Sequence, residues 1–500
     1  MVERCVIQEG VLALDALDVF HPFRANTIGY NHRFQSPYGT RNLIYSDWTA
    51  TGRLYRPIET VIRQRFGPFV ANTHSQTSIT GHVMTEAYHH AAHVIKSHLG
   101  ADDRDVLIPA GWGATSAINK LQRILGIRLH ERLQPFASIP TELKPVIFVT
   151  HMEHHSNHTS WLETIGDVVC LPPGSDGLVS PDILHAALND YKDRKMKIGS
   201  FTACSNVTGI TTPYHTLARI MHQHGGVCFV DFSASAAYVD INMHPADPSE
   251  QLDAIFLSPH KFLGGPGSCG LLVFNSQLYH NHIPDQPGGG TVKWTNPWGE
   301  KSYIDDIETR EDGGTPGILQ LIRAALAFGL KDQLTAAGMV EREHTIARSV
   351  KARLQGVPRL VLLDGHIADR LAIFSFCFPH LHYNLVVRLL NDGFGIQSRG
   401  GCSCAGTYGH HLFHLNQHTS EQIMALVDHD DLSQKPGWVR ISLHPMMTDS
   451  EISYIIYALD EISRHGLKWA QDYTYNKATN EFTHQSKHHT RVDIERMFVL

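Results

Sequence analysis

Two periods of hydrophobicity alternate between about residues 80 and 275. Stretches with an apolar position every three or four residues predict amphipathic helices: VMTEAYHHAAHVIKSHL (83–99), TSAINKLQRILG (115–126), DILHAALNDY (182–191) and TLARIMHQHG (216–225). Between them lie short continuous apolar runs: DVLIP, PVIFVT, DVVCL, KIGSFT, GVCFVD, AIFL and GLLVF. Runs this short that are apolar on both sides fit strands covered on both faces. The alternation predicts an α/β fold with a mostly parallel sheet between layers of helices, whose ligand sites belong at the carboxyl ends of the strands.

Beyond residue 300 the rhythm changes. TPGILQLIRAALAFGLKDQL reads as a long helix with Pro316 near its first turn, and MVEREHTIARSVKARLQGV as a second. RLAIFSFCF, HYNLVVRLLNDG, GWVRISL and SEISYIIYALDEISRHG then suit a smaller α+β domain. The expected organisation is an N-terminal segment (1–60) serving the small domain and the site, a large domain (61–330), a small α+β domain (331–470) and a C-terminal extension (471–500). That extension is polar and reads as loosely packed, with the final RMFVL as a docking end.

Composition narrows the partners. With 42% hydrophobic residues, 18% charged and a formal net charge of −7 over 500 residues, the chain has no attraction for nucleic acid or an anionic membrane. No run reaches the length of a membrane helix, and the start has acids inside its apolar part, so a cytoplasmic protein is expected. The eight cysteines are sparse, which argues against a disulfide framework. Histidine is common at 35 residues, so HMEHHSNH and GHHLFH arise easily, and without an HExxH or CxxC pattern no metal is expected.

Polar groups follow four of the apolar runs: Gly113-Ala114-Thr115 before a helix, Asn206, Asp231, and Ser258-Pro259-His260-Lys261 ahead of a glycine-rich turn. In a parallel sheet these converge on one rim. Their chemistry matches pyridoxal 5'-phosphate. Lys261 would form the Schiff base, Asp231 would pair with the pyridinium nitrogen, and Thr115 with the amides of Ala114 and Thr115 would meet the phosphate at a helix N-terminus. Ser258 and His260 would add donors.

The chain also resembles the class V aminotransferase group of fold-type I enzymes, which includes cysteine desulfurases and selenocysteine lyases. The resemblance covers roughly residues 42–465. It rests on YSDWTATGRLYRPIE, GWGATSAINKL, THMEHHSNHTSW, SNVTGITTP, VDFSAS, SPHKFLGGPGSCG, REDGGTP, GIQSRGGCSCAG and VRISLHPMMTDSE, in that order. It implies a seven-stranded large-domain sheet, His154 stacked on the cofactor ring and assisting acid–base steps, and Asn206 near its phenolic oxygen. It further implies Thr315 reaching the phosphate of a neighbouring subunit in a homodimer, and Arg440 with Arg399 clamping the carboxylate of an amino-acid substrate. Lys261 would shuttle the α-proton. Cys404, five residues after Arg399, or Cys402, would take sulfur as a persulfide for a sulfur acceptor protein, with His410 and His411 nearby.

One position departs from that pattern. Ala234 stands where the desulfurases carry a glutamine that touches the phenolic oxygen, leaving Ser233, Ser235 or Asn206 for the task. The expected reaction is a cysteine desulfurase-like lyase. The alternatives are an aminotransferase, a β-eliminating lyase or an epimerase using the same lysine, and a non-catalytic cofactor-binding scaffold.

Overall fold

A computed structural model describes residues 18–73, 76–486 and 494–499. The start of the chain, including Cys5, lies outside them, as does Leu500.

The large domain is built on seven strands: β1 (Asp105–Pro109), β2 (Val146–Thr150), β3 (Asp167–Leu171), β4 (Lys197–Thr202), β5 (Val227–Asp231), β6 (Ala254–Leu257) and β7 (Leu271–Asn275). Their order across the sheet is β1-β7-β6-β5-β4-β2-β3. Neighbours from β6 to β3 run parallel, while β7 is antiparallel to both β6 and β1. The sheet is thus mostly parallel, as its continuous apolar runs predict. Every residue of β2, β4, β6 and β7 is buried, because helices cover both faces.

Two of those helices matter for the site. Ile79–His98, α1, begins at Ser78, whose hydroxyl accepts from Gly81 N at 3.2 Å. Ala114–Ile124, α2, follows β1 through a tight turn and buries one apolar face on the sheet with Ala117, Ile118 and Leu121.

Helices α3 (Ile318–Ala336) and α4 (Met339–Gln355) carry the chain to the small domain. Pro316 lies two residues ahead of α3, whose N-cap is Gly317, so the proline sits outside the first turn. The small domain has four strands, β8 (Val361–Leu362), β9 (Ile373–Cys377), β10 (Arg399–Gly401) and β11 (Trp438–Ser442), ordered β8-β9-β11-β10. Helices α5 (Tyr383–Phe394), α6 (Gly406–Leu412) and α7 (Asp449–Trp469) accompany it, and α7 opens on a capping box between Thr448 and Glu451. The N-terminal segment joins this domain, since Ile44 and Tyr45 pair in parallel with Ile396 and Gln397.

The polar stretch after 470 differs from the expectation of a loose extension. It forms a hairpin, β12 (Tyr473–Asn476) with β13 (Glu481–His484). Tyr473 is buried with its hydroxyl 3.0 Å from Asp392 on α5. Alternating aromatic residues, Tyr473, Tyr475 and Phe482, supply the packing that composition alone hides. Met497, Phe498 and Val499 are exposed and not docked. Among the described residues no helix is long and apolar enough to cross a membrane.

Candidate active site

The four polar strand ends do meet. Asn206 follows β4, Asp231 closes β5, Ser258, His260 and Lys261 follow β6, and Gly113, Ala114 and Thr115 lead from β1 into α2. Together with His154 beyond β2 they line one cavity of about 410 Å³. Arg399, Ser403, Cys404 and Arg440 close it from the small domain, and Thr49 and Ala50 from the N-terminal segment.

Backbone packing fixes the lysine turn. Lys261 ends a single 3₁₀ turn, Pro259–Lys261, directly after β6. Gly52 donates its amide to His260 O at 2.9 Å, and a Cβ there would fall 1.9 Å from Phe262 O, so only glycine permits this approach. Gly265 allows the same closeness to Pro259 O.

That enclosure sets the charges. Burial draws the Lys261 amine down to about 8; Arg440 and Arg399 push the same way, while Asp231 opposes them. Burial raises the Asp231 carboxyl, against the pull of Ser233 and Lys261; Ser233 donates its amide to Asp231 Oδ1 at 2.9 Å. Burial and the neighbouring Lys261 bring His154 down to about 3 and His260 to about 4. Both rings are therefore neutral at physiological pH. His154 Nδ1 accepts the amide of Ser156 at 3.1 Å, which leaves the ring proton on Nε2.

At the other end of the cavity, Ser258 Oγ accepts the amide of Ala114 at 3.0 Å and lies 3.2 Å from Ser233 Oγ. Thr115 Oγ1 is 2.5 Å from Ser156 Oγ. These hydroxyls stand at the start of α2, where the helix dipole favours an anion.

Arg440, on β11 and 2% exposed, donates to Asn206 O at 2.9 Å and to Asp47 Oδ1 at 2.8 Å. Its buried Nε has no hydrogen-bond partner among the described residues. Arg399 donates its Nε to Asp47 Oδ2 at 3.1 Å. A carboxylate thus bridges the two guanidinium groups.

The cysteine loop is held differently. Ser403 and Cys404 both have left-handed φ, 49° and 58°, which costs energy for non-glycine residues. Side chains from elsewhere hold them there. Asn206 Nδ2 donates to Ser403 O at 2.8 Å and Trp438 Nε1 to Ser403 Oγ at 3.2 Å. His155 donates its amide to Cys404 O at 2.7 Å, and its Nε2 accepts the amide of Gly406 at 2.9 Å. His158 Nδ1 lies 3.0 Å from Thr407 Oγ1. The histidines of HMEHHSNH thus serve two sites, His154 the cavity and His155 with His158 the loop.

Three expected residues stand apart from the cavity of their own chain. Cys402 is half-buried against the large-domain core, whereas Cys404 is exposed in the cavity. Thr315 is exposed on the approach to α3. Ser235 is buried with its hydroxyl unpartnered, so of the two serines flanking Ala234 only Ser233 lines the cavity. The Asn206 amide nitrogen is committed to Ser403, leaving a buried Oδ1 with no hydrogen-bond partner among the described residues. Of His410 and His411, the first lies 2.7 Å from Gly406 O inside α6 and the second packs on His151.

Asp47 and Ser156 are the contributors that sequence reasoning left without a role. Asp47 lies 352 and 393 residues from its two arginines, and no spacing rule connects them. Its only sequence signal is its place within YSDWTATGRLYRPIE.

The sequence model of the family described as Aminotransferase class-V matches residues 44–455. Among curated proteins, the chain is similar to a probable cysteine desulfurase of Halobacterium salinarum, 25% identical over 431 residues, covering 85% of this chain and 92% of that one. It is likewise similar to one from Halalkalibacterium halodurans, 24% identical over 73% of this chain and 84% of the relative. Among solved structures, the fold is similar to the apo cysteine desulfurase of Thermococcus onnurineus NA1, with a TM-score of 0.68 at 19% identity, covering 88% and 97% of the two chains. The cysteine desulfurase CsdA (S-sulfonic acid) of Escherichia coli gives 0.66 at 22%, covering 88% and 98%.

Proposed function

The chain belongs to the class-V aminotransferase family and is a pyridoxal-phosphate-dependent enzyme, and from that premise we propose that it removes sulfur from L-cysteine or a related sulfur or selenium amino acid. The observation that carries this reading is Cys404, an exposed thiol on a strained loop in the same cavity as Lys261 and Arg440. Cys204 also lines the cavity, but it is buried and its thiol is pushed far up by that burial. A thiol in that state is a poor nucleophile.

The cavity fits the cofactor. It offers hydroxyls at a helix N-terminus for a phosphate, a buried carboxyl at Asp231 for a ring nitrogen, and the orphaned Oδ1 of Asn206 between them and the cysteine loop. When bound, pyridoxal phosphate supplies an electron sink for bonds broken at the substrate α-carbon.

The residues then divide the work. Thr115, Ser258 and the first turn of α2 would hold the phosphate, and Asp231 would keep the ring nitrogen protonated. Neutral His154 would add no charge beside the ring. Arg440, assisted by Arg399, orients the substrate carboxylate. The Lys261 amine, drawn down to about 8 by burial, would anchor the cofactor and carry the α-proton. The Cys404 thiolate attacks the substrate sulfur; a sulfur–sulfur bond forms and the carbon–sulfur bond breaks, its electron pair staying on carbon. Protonation of that carbon completes alanine, and the persulfide remains on Cys404 for a thiol acceptor. A homodimer, with Thr315 reaching the neighbouring phosphate, belongs to the same proposal.

The test is sulfide and alanine release from cysteine by purified protein in the presence of excess dithiothreitol, which reduces the persulfide and frees its outer sulfur as sulfide, repeated with Cys404→Ala. Both products in equal amounts from the parent and none from the variant are expected. An untouched rate in the variant sinks the thiol route. Ala234, which departs from the desulfurase pattern, is the observation behind one second reading, amino transfer; formation of a new amino acid from a supplied keto acid would establish it.

A further inference from the structure

The hairpin β12–β13 lies wholly outside residues 44–455, the span of the family match. It nevertheless reaches toward the active site. At its turn Asn480, 7% exposed and left-handed at φ 57°, inserts into the small domain. Its Nδ2 donates to Tyr383 Oη at 2.6 Å, its carbonyl accepts from Asn384 Nδ2 at 2.6 Å, and its Oδ1 accepts from Tyr475 Oη at 2.9 Å. Arg388 donates to Phe482 O at 2.9 Å, and His382 lies over Tyr475 and Phe482 with ring centroids 5.4 and 5.3 Å away.

The two residues held by Asn480 are the first two of α5, and both press on the strand that leads into the cysteine loop. A Cβ at Gly400 would fall 2.4 Å from Asn384 Oδ1 and 3.3 Å from the Tyr383 ring. A Cβ at Gly437, which precedes β11, would fall 2.7 Å from that ring and 3.0 Å from Gly401 Cα. The tyrosine ring therefore lies directly on the backbone of β10, and that strand ends one residue before Cys402. Packing this close transmits position, since neither a ring nor a backbone compresses.

We propose that the C-terminal hairpin is a brace for the cysteine loop, with Asn480 the positioning residue that acts through Tyr383 and Asn384. Its meaning for catalysis rests on the reading of Cys404 as the sulfur carrier, but the contact can be tested without turnover. The Cys404 thiol is alkylated with iodoacetamide and followed by peptide mass, and hydrogen exchange is measured over 399–406 and over 254–262.

In Asn480→Ala, the Cys404 alkylation rate changes about fivefold or more and exchange over 399–406 quickens, while 254–262 stays as in the parent. Tyr383→Phe, which keeps the ring and removes only its hydroxyl, reproduces the effect, and the double variant adds nothing further. Should Asn480→Ala not fold, Tyr383→Phe removes the same contact together with the longer 3.4 Å bond from Tyr383 Oη to Lys435 O, and Asn480→Asp, which takes away the Nδ2 donor, serves as the second variant. Unchanged alkylation, or exchange that quickens equally in both peptides, overturns the proposal. A sulfide assay negative in the parent removes the desulfuration reading and leaves this test intact.

Discussion

The lysine turn and the cysteine loop face each other across one cavity, and they are built by opposite means. Lys261 follows a fully buried strand after a single turn, and glycine-permitted backbone contacts to the N-terminal segment lock that turn. Cys404 sits in a left-handed conformation that its own residue type disfavours, held by Asn206, Trp438 and His155 from three distant parts of the chain. A group anchored just past the carboxyl end of a buried interior strand is fixed by the sheet. A group on a loop held by several separable bonds can shift when any one of them gives.

Lys261→Ala is the hardest blow to the rigid side. The variant is expected to lose the visible absorption band that borohydride fixes on the parent, and to lose about 10²- to 10⁴-fold or more in rate through proton transfer alone. A variant that keeps a reducible covalent cofactor would overturn the role of this lysine. On the loop side, Cys404→Ala keeps the cofactor band and drops sulfide release to background, while Cys402→Ala leaves both; equal losses in the two variants would show that the loop acts as a unit.

Between the two regions stands Arg440. Arg440→Lys cannot make a forked contact, and losing one charged hydrogen bond of about 1.5–3 kcal/mol raises KM for the amino acid about 10- to 100-fold, with less change in kcat. A fall in kcat at constant KM would instead assign Arg440 to the chemical step.

A smaller effect comes from pH. The neutral Lys261 amine is the reactive form, so uptake of pyridoxal phosphate by the apoprotein should slow about tenfold per pH unit below about 8 and level off above it. His154 and His260, drawn down to about 3 and about 4, contribute no limb near neutrality. A second inflection near pH 6.5 in uptake would show that one of these rings is charged.

The smallest expected change is in His155→Ala. It removes the acceptor of the Gly406 amide and costs the fold about 1–3 kcal/mol, visible as a lower Tm with the cofactor band retained. An unchanged Tm would mean that the loop does not depend on this bond.

The same contrast explains what could be read from the residues. The rim composed of Asn206, Asp231, Ser258 and Lys261 was legible because each follows a continuous apolar run, and parallel strands bring such ends together by topology alone. Asp47 was not, since its partners come from two small-domain strands through a crossing of the N-terminal segment. The choice between Cys402 and Cys404 was also hidden: they are one residue apart in a glycine-rich loop, and only the loop's path turns one thiol into the cavity and the other into the core. The hairpin at the end was missed because its three aromatics are diluted by polar neighbours, and an isolated two-stranded hairpin is marginal without packing such as it finds on α5.

The order of apolar runs and strand-end polar groups by itself determined the sheet, the rim and the chemistry of a lysine opposite an acid, because period and topology are local properties of the chain. Tertiary structure alone decided which cysteine faces the cavity, which carboxylate bridges the arginines and where the last hairpin rests. Those outcomes depend on contacts between residues from 35 to 393 positions apart, and no local pattern encodes such distances.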